Sequence, residues 1–261
     1  MKKLFAIIFS LLLFPVSLIT GCGGEEKQTL IVGIDDSFPP LGFRNEQNEI
    51  VGFDIDLAKE TAKRMNAAFE FKPIDWTLKS QELDAGNVDM IWNGLNISNE
   101  RKKIMLFSKP YMDNRQILLV KKDANLDIHS EYDLADKSVA VQAGSISEAY
   151  LSENETLKST FKEFLSCPSL EGAFQDLIDD KFDVLIVDEL AGRYEFSKNT
   201  DELKVIDVRI GPVTEIGIGF RKNDNELRDR VQRAFDEIIR DGTAKKISEQ
   251  WFQADLIKSV K

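Results

Sequence analysis

One stretch of this chain has a weak echo later in it, and that echo limits what the chain can fold into more than any other feature. Glu82-Leu83-Asp84-Ala85-Gly86-Asn87-Val88-Asp89-Met90-Ile91-Trp92-Asn93 aligns without a gap to Asp176-Leu177-Ile178-Asp179-Asp180-Lys181-Phe182-Asp183-Val184-Leu185-Ile186-Val187. Each copy reads as a helix end, a tight turn, Val or Phe followed by Asp, and a short apolar strand. Two such units predict two similar α/β lobes; the alternative is chance likeness within a common helix–turn–strand unit. The offset of 94 sets Gly94 opposite Asp188. A similar comparison sets Asp35, ending one early strand, opposite Gln142, ending another. Ligands of open α/β sheets bind beyond the carboxyl ends of the strands. If the two lobes face each other, those ends converge.

Apolar runs at 29–35, 50–52, 68–74, 90–92, 116–121, 138–142, 160–165, 184–187 and 216–220 read as strands. Helical patterns at 53–65, 77–85, 170–179, 189–196, 225–240 and 243–252 alternate with them, as in an α/β protein with largely parallel sheets. The helix over 53–65 sets Ile55, Ala58, Ala62 and Met65 on one face. Asp54 and Asp56 read there as capping and surface residues. Gly86 suits a helix C-cap and Thr243 an N-cap. Trp92, inside an apolar strand, reads as core.

Composition removes several functions. The chain has 261 residues, enough for two modest lobes, and a formal charge of −11. Lys and Arg are scattered among acids, which argues against nucleic-acid binding. Lys2 and Lys3 precede an apolar run over 4–20, the pattern of an export signal. Ile19-Thr20-Gly21-Cys22 resembles a bacterial lipobox. It predicts a signal peptide over 1–21, a lipidated Cys22 as the mature N-terminus and a polar tether over 22–28. Cys167 is then left without a disulfide partner and reads as a buried thiol. With His129 the single histidine, zinc sites and Ser-His-Asp or Cys-His catalysis are poor fits. No catalytic residue, metal or cofactor is expected.

The stretch from Asn93 to Arg101 follows the strand over 90–92 and presents polar groups at its carboxyl end. Arg101 can grip a carboxylate with two parallel hydrogen bonds. Asn96 and Ser98, with backbone N–H groups at a helix start, add donors. Asp188, at the matching place in the other copy, suits an ammonium group. Ser145 and Ser147 offer donors at another strand-to-helix junction. Asp35, Phe38, Trp76 and Gln142 are left to surround a side chain. A carboxylate clamp with an ammonium clamp describes a free α-amino acid. Taken singly, each has a plainer reading: Arg101 begins a charge run with Lys102 and Lys103, Asp188 could cap a helix, and Trp76 could be core.

Together the segments Asp35-Asp36-Ser37-Phe38-Pro39-Pro40-Leu41, Val51-Gly52-Phe53-Asp54-Ile55-Asp56-Leu57-Ala58, Gly94-Leu95-Asn96-Ile97-Ser98-Asn99-Glu100-Arg101 and Phe107-Ser108-Lys109-Pro110-Tyr111 carry a family likeness. Val139-Ala140-Val141-Gln142-Ala143-Gly144-Ser145, the stretch 183–188 and Asp241-Gly242-Thr243 followed by Trp251-Phe252 continue it. Over 29–252 the chain resembles the solute-binding proteins of bacterial polar amino acid ABC transporters, extracellular solute-binding protein family 3. The resemblance implies an α/β, two-lobed, type II periplasmic-binding-protein-like fold with the ligand cleft between the lobes. Two hinge strands would lie near 111–115 and 211–215, with 29–112 plus 216–261 as one lobe and 113–215 as the other. It implies that Arg101 binds the ligand carboxylate, Gly94 and Asn96 the amine and carboxylate, and Asp188 the amine. Phe38 and Trp76 would sandwich the side chain, and Gly144 and Ser145 would lie on the second lobe's carboxylate loop. Asn96 replaces the usual Thr or Ser, and Ile146 stands where smaller residues are common.

The implied protein is a monomeric extracytoplasmic receptor, held at the membrane by lipid on Cys22, that closes on a free amino acid and delivers it to an ABC permease. A dehydratase of cyclic carboxylic acids and an amino-acid sensing module are alternatives on the same scaffold. Asp35 and Asp36 beside aromatic Phe38 and Trp76 suit a polar or cationic side chain. No second basic residue is evident for a side-chain carboxylate. Arginine, lysine, histidine, glutamine and cystine are therefore the expected ligands.

Overall fold

The computed structural model describes residues 27–259. The expected leader and the lipidation site Cys22 lie outside the described residues. The first half of the chain runs β1 (Thr29–Ile34), β2 (Ser37–Phe38), β3 (Gly42–Arg44), β4 (Ile50–Val51), α1 (Phe53–Arg64), β5 (Ala68–Pro73), α2 (Lys79–Asp84), β6 (Met90–Ile91), β7 (Asn96–Ile97), α3 (Asn99–Ile104) and β8 (Met105–Phe107). The middle runs β9 (Met112–Lys121), β10 (Ser138–Gln142), α4 (Ile146–Glu153), α5 (Glu155–Lys158), β11 (Glu163–Cys167), α6 (Leu170–Ile178), β12 (Val184–Asp188) and α7 (Glu189–Lys198). It closes with β13 (Leu203–Ile216), β14 (Gly219–Arg221), α8 (Asn225–Arg240) and α9 (Thr243–Phe252).

Two main sheets form the centres of two lobes. One has the order β5-β1-β6-β14-β8 and the other β11-β10-β12-β9-β13-β7, with a small β2-β3-β4 sheet beside the first. The doubled segment occupies the same place in both. In the first sheet Val32 pairs with Met90, and in the second Val139 pairs with Val184, both in parallel. Asp89 accepts the Ile31 N–H at 2.8 Å, and Asp183 accepts the Ser138 N–H at 2.7 Å. Asn87 N–H donates to Glu82 O, and Lys181 N–H to Asp176 O, each at 3.0 Å. Even the turn geometry repeats: Gly86 has φ of 74° and its counterpart Asp180 has φ of 60°. Aspartate tolerates this left-handed conformation better than most residues do. The two segments thus hold equivalent positions in the two sheets.

The lobes are joined through β9 and β13, which pair antiparallel with each other. The hinge strand expected near 211–215 belongs to β13, which runs through Gly211 and Pro212 as one strand. Its register with β9 shifts between Ile206 and Ile210 and again between Ile210 and Thr214. Proline lacks an N–H for the ladder, and an irregular stretch accommodates it. β7 pairs with the far edge of β13, so the Asn96 loop is fastened directly to the crossing.

Several local readings shift. The 77–85 helix is a 3-10 turn over Trp76–Leu78 followed by α2. The strand expected at 160–165 is β11 at Glu163–Cys167. Gly242, with φ of 80°, and not Thr243, is the N-cap of α9, because the Asp241 carboxylate takes the Thr243 N–H. The largest correction is Asp54. It is wholly buried and makes no cap bond, while Asp56 is half-buried and accepts from the Trp251 indole at 3.0 Å. Trp92 is core as expected, with Phe235 of α8 edge-on at 5.3 Å and Tyr111 at 6.4 Å. Cys167 is a free, buried thiol; burial raises its pKa, which makes it a weak nucleophile.

Candidate functional site

Four strand ends converge between the lobes: those of β1, β6, β10 and β12. They bring Phe38, Trp76, Asn93, Gly94, Asn96, Arg101, Gln142, Ser145 and Asp188 around one cavity, with Ile146 beside them. These are nine of the ten residues expected from sequence. The tenth, Asp35, forms the layer behind: its N–H donates to Asn93 Oδ1 at 3.0 Å, and its carboxylate accepts from Gln142 Nε2 at 2.5 Å. Asp35 and Gln142, the pair matched by the internal comparison, thus meet across the cleft. Asp36 does not join them; it turns outward to an ion pair with Arg44 at 2.5 Å. The cleft is shut, and the free volume at its centre is about 10 Å³.

Arg101 is placed by the start of α3. Ser98 caps that helix, and its hydroxyl accepts the Arg101 N–H at 3.2 Å. The guanidinium donates to Asn96 O at 2.8 Å and to Gly144 O at 3.0 Å. Both acceptors are neutral carbonyls. Burial lowers its pKa to about 10, opposed by the Asp188 charge. Such a cation gains strongly from a carboxylate that replaces a carbonyl.

Asp188 sits at the N-cap position of α7 without capping it. Its carboxylate accepts instead from Gln116 at 2.7 Å, from Asn114 and, at 3.4 Å, from Asn96. Burial pushes its pKa up, against these three amides and Arg101. An ammonium would favour the charged form. Asn96 accepts from Asn114 at 2.9 Å and from the Thr214 hydroxyl at 2.6 Å. The residue that departs from Thr or Ser therefore links the cavity to β9 and β13 together. Ser147 lies outside the cavity and donates to Gln116 at 2.6 Å. Ser145 lines it and caps α4. Asn93 Nδ2 is buried and has no hydrogen-bond partner among the described residues.

Sequence reasoning missed four residues. Asp54 accepts the Gly94 N–H at 2.6 Å and the Tyr111 hydroxyl at 2.7 Å, so it fixes the glycine on the cavity wall. Its position was readable: 54, 58, 61 and 65 share a helix face with the apolar stripe. Asn114 and Gln116 alternate on one side of β9, a period-two signal hidden by the polar start of that strand. Lys79 is the second basic residue that the sequence did not reveal; it is 7% exposed and reaches Gly144 O at 3.0 Å. It is not among the cavity-lining residues.

The sequence pattern of the bacterial extracellular solute-binding proteins, family 3, matches residues 30–254. The chain belongs to that family. This solute-binding protein is 32% identical over 234 residues to the L-cystine-binding protein TcyJ of Escherichia coli (strain K12), covering 90% of this chain and 86% of that one. It is 32% identical over 267 residues to the histidine-binding periplasmic protein of the same strain, covering 98% and 99%. In structure it is similar to the substrate-binding protein of an ABC uptake transporter from Streptococcus pneumoniae with bound histidine. There the TM-score is 0.83 at 32% identity, with 88% of this chain and 95% of that one covered. Among the described residues no helix is long and apolar enough to cross a membrane, and no group of His, Cys, Asp and Glu is arranged to hold a metal ion.

Proposed function

We propose that this solute-binding protein takes up a free polar amino acid between its lobes and hands it to an ABC permease after closing. One observation carries the reading: half-buried Arg101 and buried Asp188 face one cavity from different lobes, neither with a full-charge partner in contact among the described residues. The carboxylate of an amino acid answers the first and its ammonium the second. Contacts shared between lobes favour the shut form by linkage. We take 29–112 with 216–261 as one lobe and 113–215 as the other, and Cys22 as a lipid anchor that holds the receptor near its permease. The carboxylate–ammonium pair suits binding without reaction, so we assign no catalytic role.

The cavity also narrows the side chain. Asn93 Nδ2 is a buried donor that wants an acceptor. Glutamine, histidine and cystine bring one; lysine and arginine bring donors alone. Asp35 already accepts from Ser37 and Gln142. The ligand is therefore a neutral polar amino acid or cystine, ahead of the cationic pair. A thermal-shift panel of the amino acids tests this. A true ligand at a hundredfold excess over Kd stabilises by about 2.7 kcal/mol. Stabilisation by none of them refutes the function, and stabilisation by aliphatic or acidic ones alone refutes the side-chain argument. Arg101→Ala should erase the shift for every amino acid.

A further inference from the structure

Lys79 has no part in that reading, yet its surroundings are specific. It opens α2, and its ammonium donates to Trp76 O at 2.6 Å and across the cleft to Gly144 O at 3.0 Å. The same Gly144 carbonyl accepts from Arg101 at 3.0 Å, while the Gly144 N–H donates to Glu148 at 2.6 Å. One peptide group of the turn between β10 and α4 is thus gripped by two basic side chains from the other lobe. The fit is close. Gly144 has φ of 69°, and a Cβ there would stand 3.1 Å from Thr77 Cα and 3.3 Å from Trp76 O. Glycine meets both demands, the left-handed backbone and the near approach of the opposite lobe's backbone.

Lys79 lies under the Trp76 ring, 5.0 Å from its centroid, with no carboxylate in contact among the described residues. The charged groups around it are Arg101 on α3, Glu148 on α4, Asp75 before the 3-10 turn and Asp35 after β1. Burying an ammonium against carbonyls alone is costly unless its hydrogen bonds are made, and here one of the two crosses the cleft. We propose that Lys79 is a latch: it seats the Gly144 carbonyl beside Arg101 and holds the cleft shut without touching the ligand.

The test compares wild type with Lys79→Met and Gly144→Ala, using glutamine, histidine and cystine as probes and two readouts. In stopped-flow binding, Lys79→Met should raise the dissociation rates of whichever probes bind by one common factor of roughly ten, the loss expected for one charged hydrogen bond. Association rates and ligand order should stay as in wild type. In small-angle scattering, both variants should show a larger radius of gyration than wild type under the same conditions. A change of ligand order overturns the latch, because Lys79 would then be reading the side chain. Unchanged dissociation rates overturn it as well. The latch builds on the amino-acid-binding reading, but scattering separates the two. If no probe binds wild type, the preference for glutamine, histidine or cystine fails, and superimposable scattering of wild type and Lys79→Met would still dismiss the latch.

Discussion

At the scale of single residues, Asp54 shows how a buried charge serves the site from behind. Burial raises its carboxyl to about 7 from 3.8, against the Gly94 N–H, Tyr111 and Trp92. A raised folded-state pKa means that the folded protein holds the proton more tightly than the unfolded chain does. The associated stability is complete below pH 3.8 and is lost as pH rises through about 7. Asp54→Asn removes the titration and keeps an acceptor for Gly94. Melting curves across that window should therefore fall less steeply for Asp54→Asn than for wild type; parallel curves would assign the slope to other groups. Asp54→Ala should behave differently. It leaves the Gly94 N–H buried and unpaired, a loss of about 1–3 kcal/mol in urea unfolding at any pH.

At the scale of elements, α8 holds the site's foundations. Phe235 is buried and stands edge-on to Trp92 at 5.3 Å and to Tyr111 at 5.5 Å. Trp92 begins the Gly94 loop and Tyr111 leads into β9, so one side chain props both. Phe235→Ala should destabilise by about 3–5 kcal/mol in urea unfolding. A smaller loss would mean that the three rings re-pack around the gap. Elements were also where the sequence was most legible. The doubled segment announced β6 and β12 and, through Asp35 and Gln142, the strand ends that meet across the cleft. Arg101, Asp188, Phe38 and Trp76 came from strand-end position and family likeness together. Asn114 and Gln116 stayed hidden in the polar start of β9, and Lys79 because its role depends on a contact across the cleft, which no local period encodes.

At the scale of the whole molecule, the end of the described chain returns to the joint between lobes. Lys258 pairs with Asp113 at 2.6 Å and with Glu215 at 2.5 Å, and its N–H donates to Tyr111 O at 2.8 Å. It thereby bridges β9 and β13 at the paired residues Asp113 and Glu215. These are partly exposed ions, so Lys258→Ala should lower stability by no more than about 1 kcal/mol. The melting temperature should drop by roughly 2–4 °C, with a larger drop indicating a structural role beyond the ion pairs. The pairing of β9 with β13 has a mechanical consequence. Two separate connectors would let the lobes twist, slide and gape independently. A hydrogen-bonded ribbon is stiff to sliding and soft chiefly to flexing across its plane, so the opening collapses onto a single coordinate. One distance across the cleft then reports the whole trajectory, and every ligand contact pulls along the same path.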